Sequence, residues 1–349
     1  MIGRNFKYIL FFNCMILFFS CKKDKPNNTL EPAPSFTNNG GVYITNEGNY
    51  SFGNSSVSYY SFSNEGVSSD VFQSANGSML GDVCQSMYFF NNKAYIVVNN
   101  SGKIEVVNAN TFVSSSTISG FVSPRYFLPV SNSKAYVTDL YSNSISIIDL
   151  TTNTISGSIS CNGWAEELIL AYGKAYVTNI YSDKVYVINT ATDILIDSIP
   201  VAYGSGSICE DANGKIWVLC GGKQSLGIYP ALVRINPVSD SVEQSFQFPN
   251  FTDAPNRLNI NGSLDELYYL ANGGVYKFLV NSTGLPSSPL IPQSSYNFYG
   301  LGIDPNSGTI YVADAIDYVQ NGVILKYQSN GTYISSFIVG IIPNHFYFN

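Results

Sequence analysis

A single histidine, His345, serves all 349 residues. That count removes a histidine-based catalytic triad and any multi-histidine metal centre. Charge is scarce as well: Asp, Glu, Lys and Arg together make up 12% of the chain, with a formal net charge of −7. No cluster of Lys and Arg interrupts the body of the sequence, so the electrostatic footprint that nucleic-acid binding needs is missing. Of six cysteines, Cys84, Cys161, Cys209 and Cys220 fall in the body of the chain, without the short paired spacing of a zinc site. Cys209 and Cys220 read as diagonal neighbours on adjacent strands, and as buried small hydrophobes rather than as a disulfide. No helix is evident, and no glycine-rich phosphate loop runs from a strand into one.

What the chain does have is aromatic residues, 26 Tyr and 22 Phe, and a repeat. Lys134-Ala-Tyr-Val-Thr-Asp-Leu-Tyr-Ser142 recurs as Lys174-Ala-Tyr-Val-Thr-Asn-Ile-Tyr-Ser182. Its strand returns at Gly41–Thr45, Lys93–Val97, Lys215–Leu219, Glu266–Leu270 and Thr309–Ala313. Second residues of the seven copies fall at 42, 94, 135, 175, 216, 267 and 310, giving steps of 52, 41, 40, 41, 51 and 43 residues. A period of ~40–50 residues built from short strands predicts a β-propeller.

One copy shows the expected blade. Glu166–Ala171 is an innermost strand, and Tyr172-Gly173 a tight turn. Lys174–Asn179, Lys184–Asn189 and Ile194–Ile199 supply three further antiparallel strands. The last residues, Ile342–Phe348, resemble an innermost strand that no second strand follows, while Gly41–Thr45 opens as a second strand with no innermost partner. Pairing the two closes the ring and removes an open sheet edge. The fold class expected is therefore all-β, a seven-bladed β-propeller of four-stranded blades over residues 40–349.

Function then has to come from loops. Loops between second and third strands share one face of the disc with the crossovers into the next blade, and the tight turns occupy the other face. Candidate ligand-binding residues on the loop face are Arg125, Tyr141, Trp164, Asn179, Tyr181, Tyr203, Arg257, Phe298, Tyr299 and Tyr318. Aromatic rings offer rigid contact area, with amides and guanidinium groups to place hydrogen bonds. Packing between blades is the competing reading for Tyr141 and Tyr181. Asp314 and Asp317 suit a turn better than a calcium site. Glu166 and Glu167 alternate to opposite sides of a strand and do not form an acid–base pair. No cofactor, metal or enzymatic activity is expected. An Asp-and-water hydrolase of the lactonase type is the catalytic alternative, and a protein- or glycan-binding scaffold the non-catalytic one.

At the start of the chain, Arg4 and Lys7 precede the apolar run Ile9–Phe19 and then Ser20-Cys21. This resembles a bacterial lipoprotein signal, which implies removal of residues 1–20, lipidation of Cys21, and a flexible tether over 21–39. An uncleaved anchor or simple secretion are the alternatives.

The unit Lys-Ala-Tyr-Val-Thr-Asn/Asp-x-Tyr-Ser, followed by Val/Ile-x-Val-Ile-Asn/Asp, resembles the YncE-like, or DUF5074-like, seven-bladed propellers across nearly the whole mature chain. With the leader, it is similar to surface lipoproteins of Bacteroidota, among them the BtuG type. That resemblance implies an outer-membrane lipoprotein at the cell surface. Such a protein captures cobalamin on one propeller face and passes it to a TonB-dependent transporter, touching the membrane only through its lipid.

Overall fold

The computed structural model describes residues 40–349. The expected leader, Cys21 and the tether lie outside them. Strands group into seven antiparallel sheets arranged as the blades of a propeller. Counted from the inside out, the third blade is Pro124–Pro129, Lys134–Asp139, Ser144–Asp149 and Thr154–Ser160. The fourth is Ala165–Ala171, Lys174–Asn179, Lys184–Asn189 and Ile194–Pro200, within a residue of the expected boundaries. The second, fifth, sixth and seventh blades begin at Cys84–Phe90, Ser205–Glu210, Asn256–Ile260 and Phe298–Ile303.

The first blade is completed by the last strand, as expected. Pro343–Phe348 pairs with Gly41–Asn46, setting Tyr43 opposite Tyr347 and Ile44 opposite Phe346. Small residues make room for it. A Cβ on Gly300 would meet the Asn344 carbonyl oxygen at 2.1 Å, and one on Gly302 would meet Phe346 at 2.6 Å. The seventh blade can therefore pack on the closing strand only with glycine at these positions.

Two details depart from a uniform repeat. In the sixth blade three strands form the sheet, and Leu290-Ile291 bonds to Val275 in the fourth place. In the first blade the outer strand is only Val67–Ser68, and a six-residue helix, Val71–Asn76, follows. Asp70 caps the helix and Gly77 ends it in the left-handed region. Buried Val71 and Phe72 pin it against Tyr43, Tyr59 and Leu80. Sequence alone gave no sign of this helix, because six residues carry less than two turns of periodicity.

Cores lie between blades. One cluster joins Tyr176, Val185 and Val187 of the fourth blade to Ile208, Val218 and Ile235 of the fifth. Strands so sandwiched are apolar on both faces, which is why alternation is weak in the sequence. The repeated Lys-x-Tyr adds a polar clamp at the turn face. Lys134 and Tyr136 both reach Asp193 in the outer turn of the next blade, with Lys134 Nζ at 2.6 Å. Lys174 and Tyr176 hold Asp240 in the same way, at 2.7 and 2.5 Å.

The four cysteines among the described residues are free. The fifth-blade register sets Cys220 opposite Ser205 and Cys209 opposite Trp217. The two therefore sit toward opposite ends of their strand pair and are not the diagonal neighbours expected. The hairpin turn between Glu210 and Ile216 sets this register, and the bulge near Ser205 changes only the residue that faces Cys220. No helix among the described residues is long and apolar enough to cross a membrane.

Candidate functional site

Each of the seven innermost strands carries a one-residue register shift near its start. A bulge leaves backbone unpaired and turns side chains out of the regular pleat. The repeated threonine repairs the unpaired backbone. Thr138 Oγ1 accepts from the Tyr126 N–H at 3.0 Å, Thr178 Oγ1 donates to the Glu167 carbonyl at 3.0 Å, and Thr45 Oγ1 accepts from the His345 N–H at 3.2 Å. The residue after the first strand position then forms a ring around the central channel: Gln85, Arg125, Glu166, Gly206, Arg257, Tyr299 and Asn344.

Most of the ring is hydrogen-bonded to itself. Arg125 forms a two-pronged ion pair with Glu166, its Nε donating at 2.8 Å, and its Nη1 reaches Gln85 at 2.5 Å. On the far side, Glu47 accepts from the Tyr299 hydroxyl at 3.0 Å and from Asn344 Nδ2 at 2.5 Å. Arg257 donates from Nε to the Tyr299 carbonyl at 3.0 Å, and from Nη1 to His345 Nε2 at 3.3 Å. Because arginine only donates, that imidazole nitrogen accepts and the ring is neutral. Tyr126 Oη lies 2.9 Å from the same nitrogen. Burial, then the charges of Arg257 and Arg125, hold the His345 pKa well below its ordinary value.

Glu166 and Glu167 do point apart, as the sequence suggests, Glu166 to the third blade and Glu167 to the fifth. Glu167 Oε2 accepts the Ile208 N–H at 3.0 Å. It has no ion-pair partner among the described residues, and burial pushes its pKa up to about 8.

On the loop face above the channel, four of the expected residues meet in one ridge. Tyr141 packs edge-on against Trp164 with ring centres 5.5 Å apart, Trp164 stacks on Tyr181 at 5.2 Å, and Tyr181 meets Tyr203 edge-on at 6.0 Å. Lys223 closes the row. Its ammonium lies 4.4 Å from the centres of both the Tyr181 and Tyr203 rings and donates to the Tyr203 hydroxyl at 3.0 Å. The ridge alternates second-to-third loop, crossover, loop, crossover, loop over three consecutive blades. Tyr141 and Tyr181 are 62% and 59% exposed, so packing between blades does not account for them.

Trp164 sits at φ 72°, in the left-handed region. The matching bend before the fifth blade is made by Gly204 at φ 76°. A side chain there costs about 1–2 kcal/mol relative to glycine, a cost that Val83 at φ 63° and Ile342 at φ 55° also carry, directly before the innermost strands of the second and first blades.

The other expected residues are placed differently. Arg125 and Arg257 lie down in the channel, not on the rim. Asn179 is buried, with Nδ2 on the Gly163 carbonyl at 2.8 Å and Oδ1 on the Tyr181 N–H at 2.9 Å, so it builds the loop that presents Tyr181. Phe298 is buried in the core of the sixth and seventh blades. Tyr299 and exposed Tyr318 make a separate edge-on pair at 5.8 Å. Asp314 and Asp317 each accept two backbone N–H groups on Oδ1 at 2.9 Å, and Asp317 Oδ2 accepts from Gln320 Nε2 at 2.8 Å. Lys223 was missed by sequence reasoning, although a lone lysine in a nine-residue loop of a charge-poor chain was the available signal.

Comparison of folds gives neighbours of varied description. One is a quinonprotein alcohol dehydrogenase-like protein from Bacteroides thetaiotaomicron, with TM-score 0.69, 15% identity, and coverage of 89% of this chain and 78% of that one. Another, from Bacteroides fragilis, is described as a candidate 6-phosphogluconolactonase, with TM-score 0.66, 12% identity, and coverage of 90% and 99%. A third is hydrazine synthase of Kuenenia stuttgartiensis, with TM-score 0.62, 15% identity, and coverage of 73% and 85%. At such identities these likenesses show the propeller fold alone. Comparison with curated proteins by sequence gives no match. A family model does match, over residues 40–349 and thus the whole propeller, and the chain belongs to that family, the domain of unknown function DUF5074.

Proposed function

We propose that this protein captures a small molecule on the loop face of its propeller and hands it on without making or breaking bonds. The observation that carries this reading is the continuous ridge Tyr141–Trp164–Tyr181–Tyr203, flanked by Lys223. It offers rigid, half-exposed ring area with a fixed cation at one end, the mixture that suits a broad ligand carrying apolar edges and polar substituents. Such a molecule lies against the ring edges, while tyrosine hydroxyls and backbone amides meet its polar groups.

Cobalamin is the ligand we put first, with a lipid on Cys21 holding the protein at the cell surface and a TonB-dependent outer-membrane transporter receiving the cargo. The basic-then-apolar leader ending in Ser20-Cys21 supports the anchor. Calorimetric titration with cyanocobalamin, with haem as a control ligand, tests the reading. Near-stoichiometric heat with cyanocobalamin and none with haem supports capture. No heat at micromolar protein sinks cobalamin as the ligand and turns attention to a protein or glycan partner for the same face.

A further inference from the structure

The channel ring holds two arginines in equivalent positions, and their surroundings differ. Arg125 is flanked in the ring by Gln85 and Glu166 and is bonded to both. Arg257 is flanked by Tyr299 and Gly206, and Gly206 has no side chain to offer. No carboxylate lies within ion-pair distance of Arg257 among the described residues; its guanidinium bonds a carbonyl oxygen and a neutral imidazole and lies 5.2 Å from the centre of the Tyr299 ring. Glu47 and Glu167 act on it only from beyond ion-pair distance, so a direct anionic partner would add the two-pronged contact that Arg125 already has. Arg257 is also the one residue of the seven innermost strands with a positive φ, 57°, a conformation that turns its side chain at an energetic cost.

The missing side chain leaves a space. A cavity of about 160 Å³ opens at Gly206 toward the loop face, bounded by Glu166, Glu167, Arg257 and the apolar Ile180, Leu219 and Pro255. A second cavity of about 220 Å³ lies deeper and shares Tyr126, Glu167 and Arg257 with the first. An engineered apolar cavity of about 150 Å³ admits benzene, so the upper space is large enough for a ring bearing one small polar group. Of the two carboxylates at its edge, Glu166 is already neutralised by Arg125.

We propose that the gap at Gly206 is a binding site for a small carboxylate with a compact apolar body, its two oxygens gripped by the Arg257 guanidinium and its body against Ile180, Leu219 and Pro255. The planar guanidinium fork matches a carboxylate in two parallel hydrogen bonds. The site shares no residue with the aromatic ridge, although Ile180 and Gly204 adjoin Tyr181 and Tyr203, and benzoate binding is read independently of cobalamin.

Glu167 gives the site a pH dependence. The charged and titratable groups around it are Glu166 on its own strand, Arg125 and Tyr126 from the third blade, Cys209 from the fifth, Arg257 from the sixth, and His345 and Tyr347 from the closing strand. Below about pH 8 its carboxyl is protonated and able to donate to the ligand. Above that it becomes an anion beside an anion site.

The test is titration of the full chain with benzoate, with benzamide and benzamidine as neutral and cationic isosteres. Saturable binding of benzoate alone is expected at pH 6.5, weaker by at least about tenfold at pH 9.5. Gly206→Glu is the decisive variant. Its backbone is not in the left-handed region, and a Cβ there meets only Ile180 at 3.7 Å, so the variant has room to fold. The new carboxylate occupies the gap and pairs with Arg257, and benzoate binding should fall at least about tenfold while the melting temperature holds or rises. Arg257→Lys, which keeps the charge and loses the fork, should weaken binding as well. Absence of benzoate binding, benzamidine binding in its place, or undiminished benzoate affinity in folded Gly206→Glu would each overturn the proposal.

Discussion

The repeat unit carries two tyrosines five residues apart, and they have opposite fates. Tyr136 and Tyr176, third in the unit, are fully buried at the turn face, where each joins a lysine in clamping an aspartate of the next blade. Tyr141 and Tyr181, eighth in the unit, stand mostly exposed on the loop face and stack into a ridge with Trp164 and Tyr203. Repetition is therefore compatible with both packing and presentation. What separates them is the partner: the buried pair answers to an acidic residue at a fixed place in the neighbouring blade, the exposed pair to other aromatic rings. One end of the blade holds the ring together and the other is left free to bind.

Breaking the ring itself should have the largest effect. Removal of residues 344–349 takes away most of the closing strand, uncovers the edge of Gly41–Asn46, and breaks the contacts at Gly300 and Gly302. We expect loss of cooperative unfolding or aggregation, seen by circular dichroism and light scattering; a truncated protein that melts like the intact one would refute closure.

At the clamp, Asp240→Ala strips Lys174 and Tyr176 of their shared carboxylate in a largely buried place and leaves them only the Pro237 carbonyl. A cost of about 2 kcal/mol is expected, measured by denaturant unfolding, with ligand capture unchanged. At the ridge the pattern should invert. Tyr181→Ala should shift stability by no more than about 0.5 kcal/mol and abolish capture. Trp164→Gly should lose less stability than removal of a large ring ordinarily does, since glycine relieves the left-handed backbone by about 1 kcal/mol.

A smaller effect is expected from pH. Glu167 binds its proton more tightly folded, with a pKa of about 8, than unfolded. The folded state then holds the extra proton between the ordinary carboxylate value and about pH 8, so stability falls as pH rises through that window, by at most about 1.4 kcal/mol per unit crossed. Glu167→Gln should flatten this slope. Melting curves at pH 5 and pH 8 that move in parallel for both proteins would contradict the assignment.

Much of the fold was legible in the sequence because a repeat averages out local ambiguity. Seven copies of a strand with turn residues at fixed offsets fixed the blades, and one unmatched strand at each end gave the closure. Long-range pairs were not legible. Asp193 lies 59 residues from Lys134, and nothing local marks the two as partners. The bulges were hidden too, since a one-residue insertion at a strand start looks like an uncertain boundary. Arg125 and Arg257 read as loop-face residues at strand entrances close to the central channel, and the bulges place them in the channel itself. Asn179 and Phe298 were read as presented because they adjoin residues that are. The ridge was legible in Tyr141, Trp164, Tyr181 and Tyr203, and its cation, Lys223, was not, because it comes from a longer loop than the short ones that present Tyr141 and Tyr181.

The measurement closest to the central claim sets the intact protein beside Trp164→Ala/Tyr181→Ala, titrating both with cyanocobalamin and melting both. Tight binding by the intact protein, its loss in the double variant, and closely similar melting temperatures are the result this account predicts. Equal affinity in the two proteins would contradict it and place capture elsewhere on the propeller.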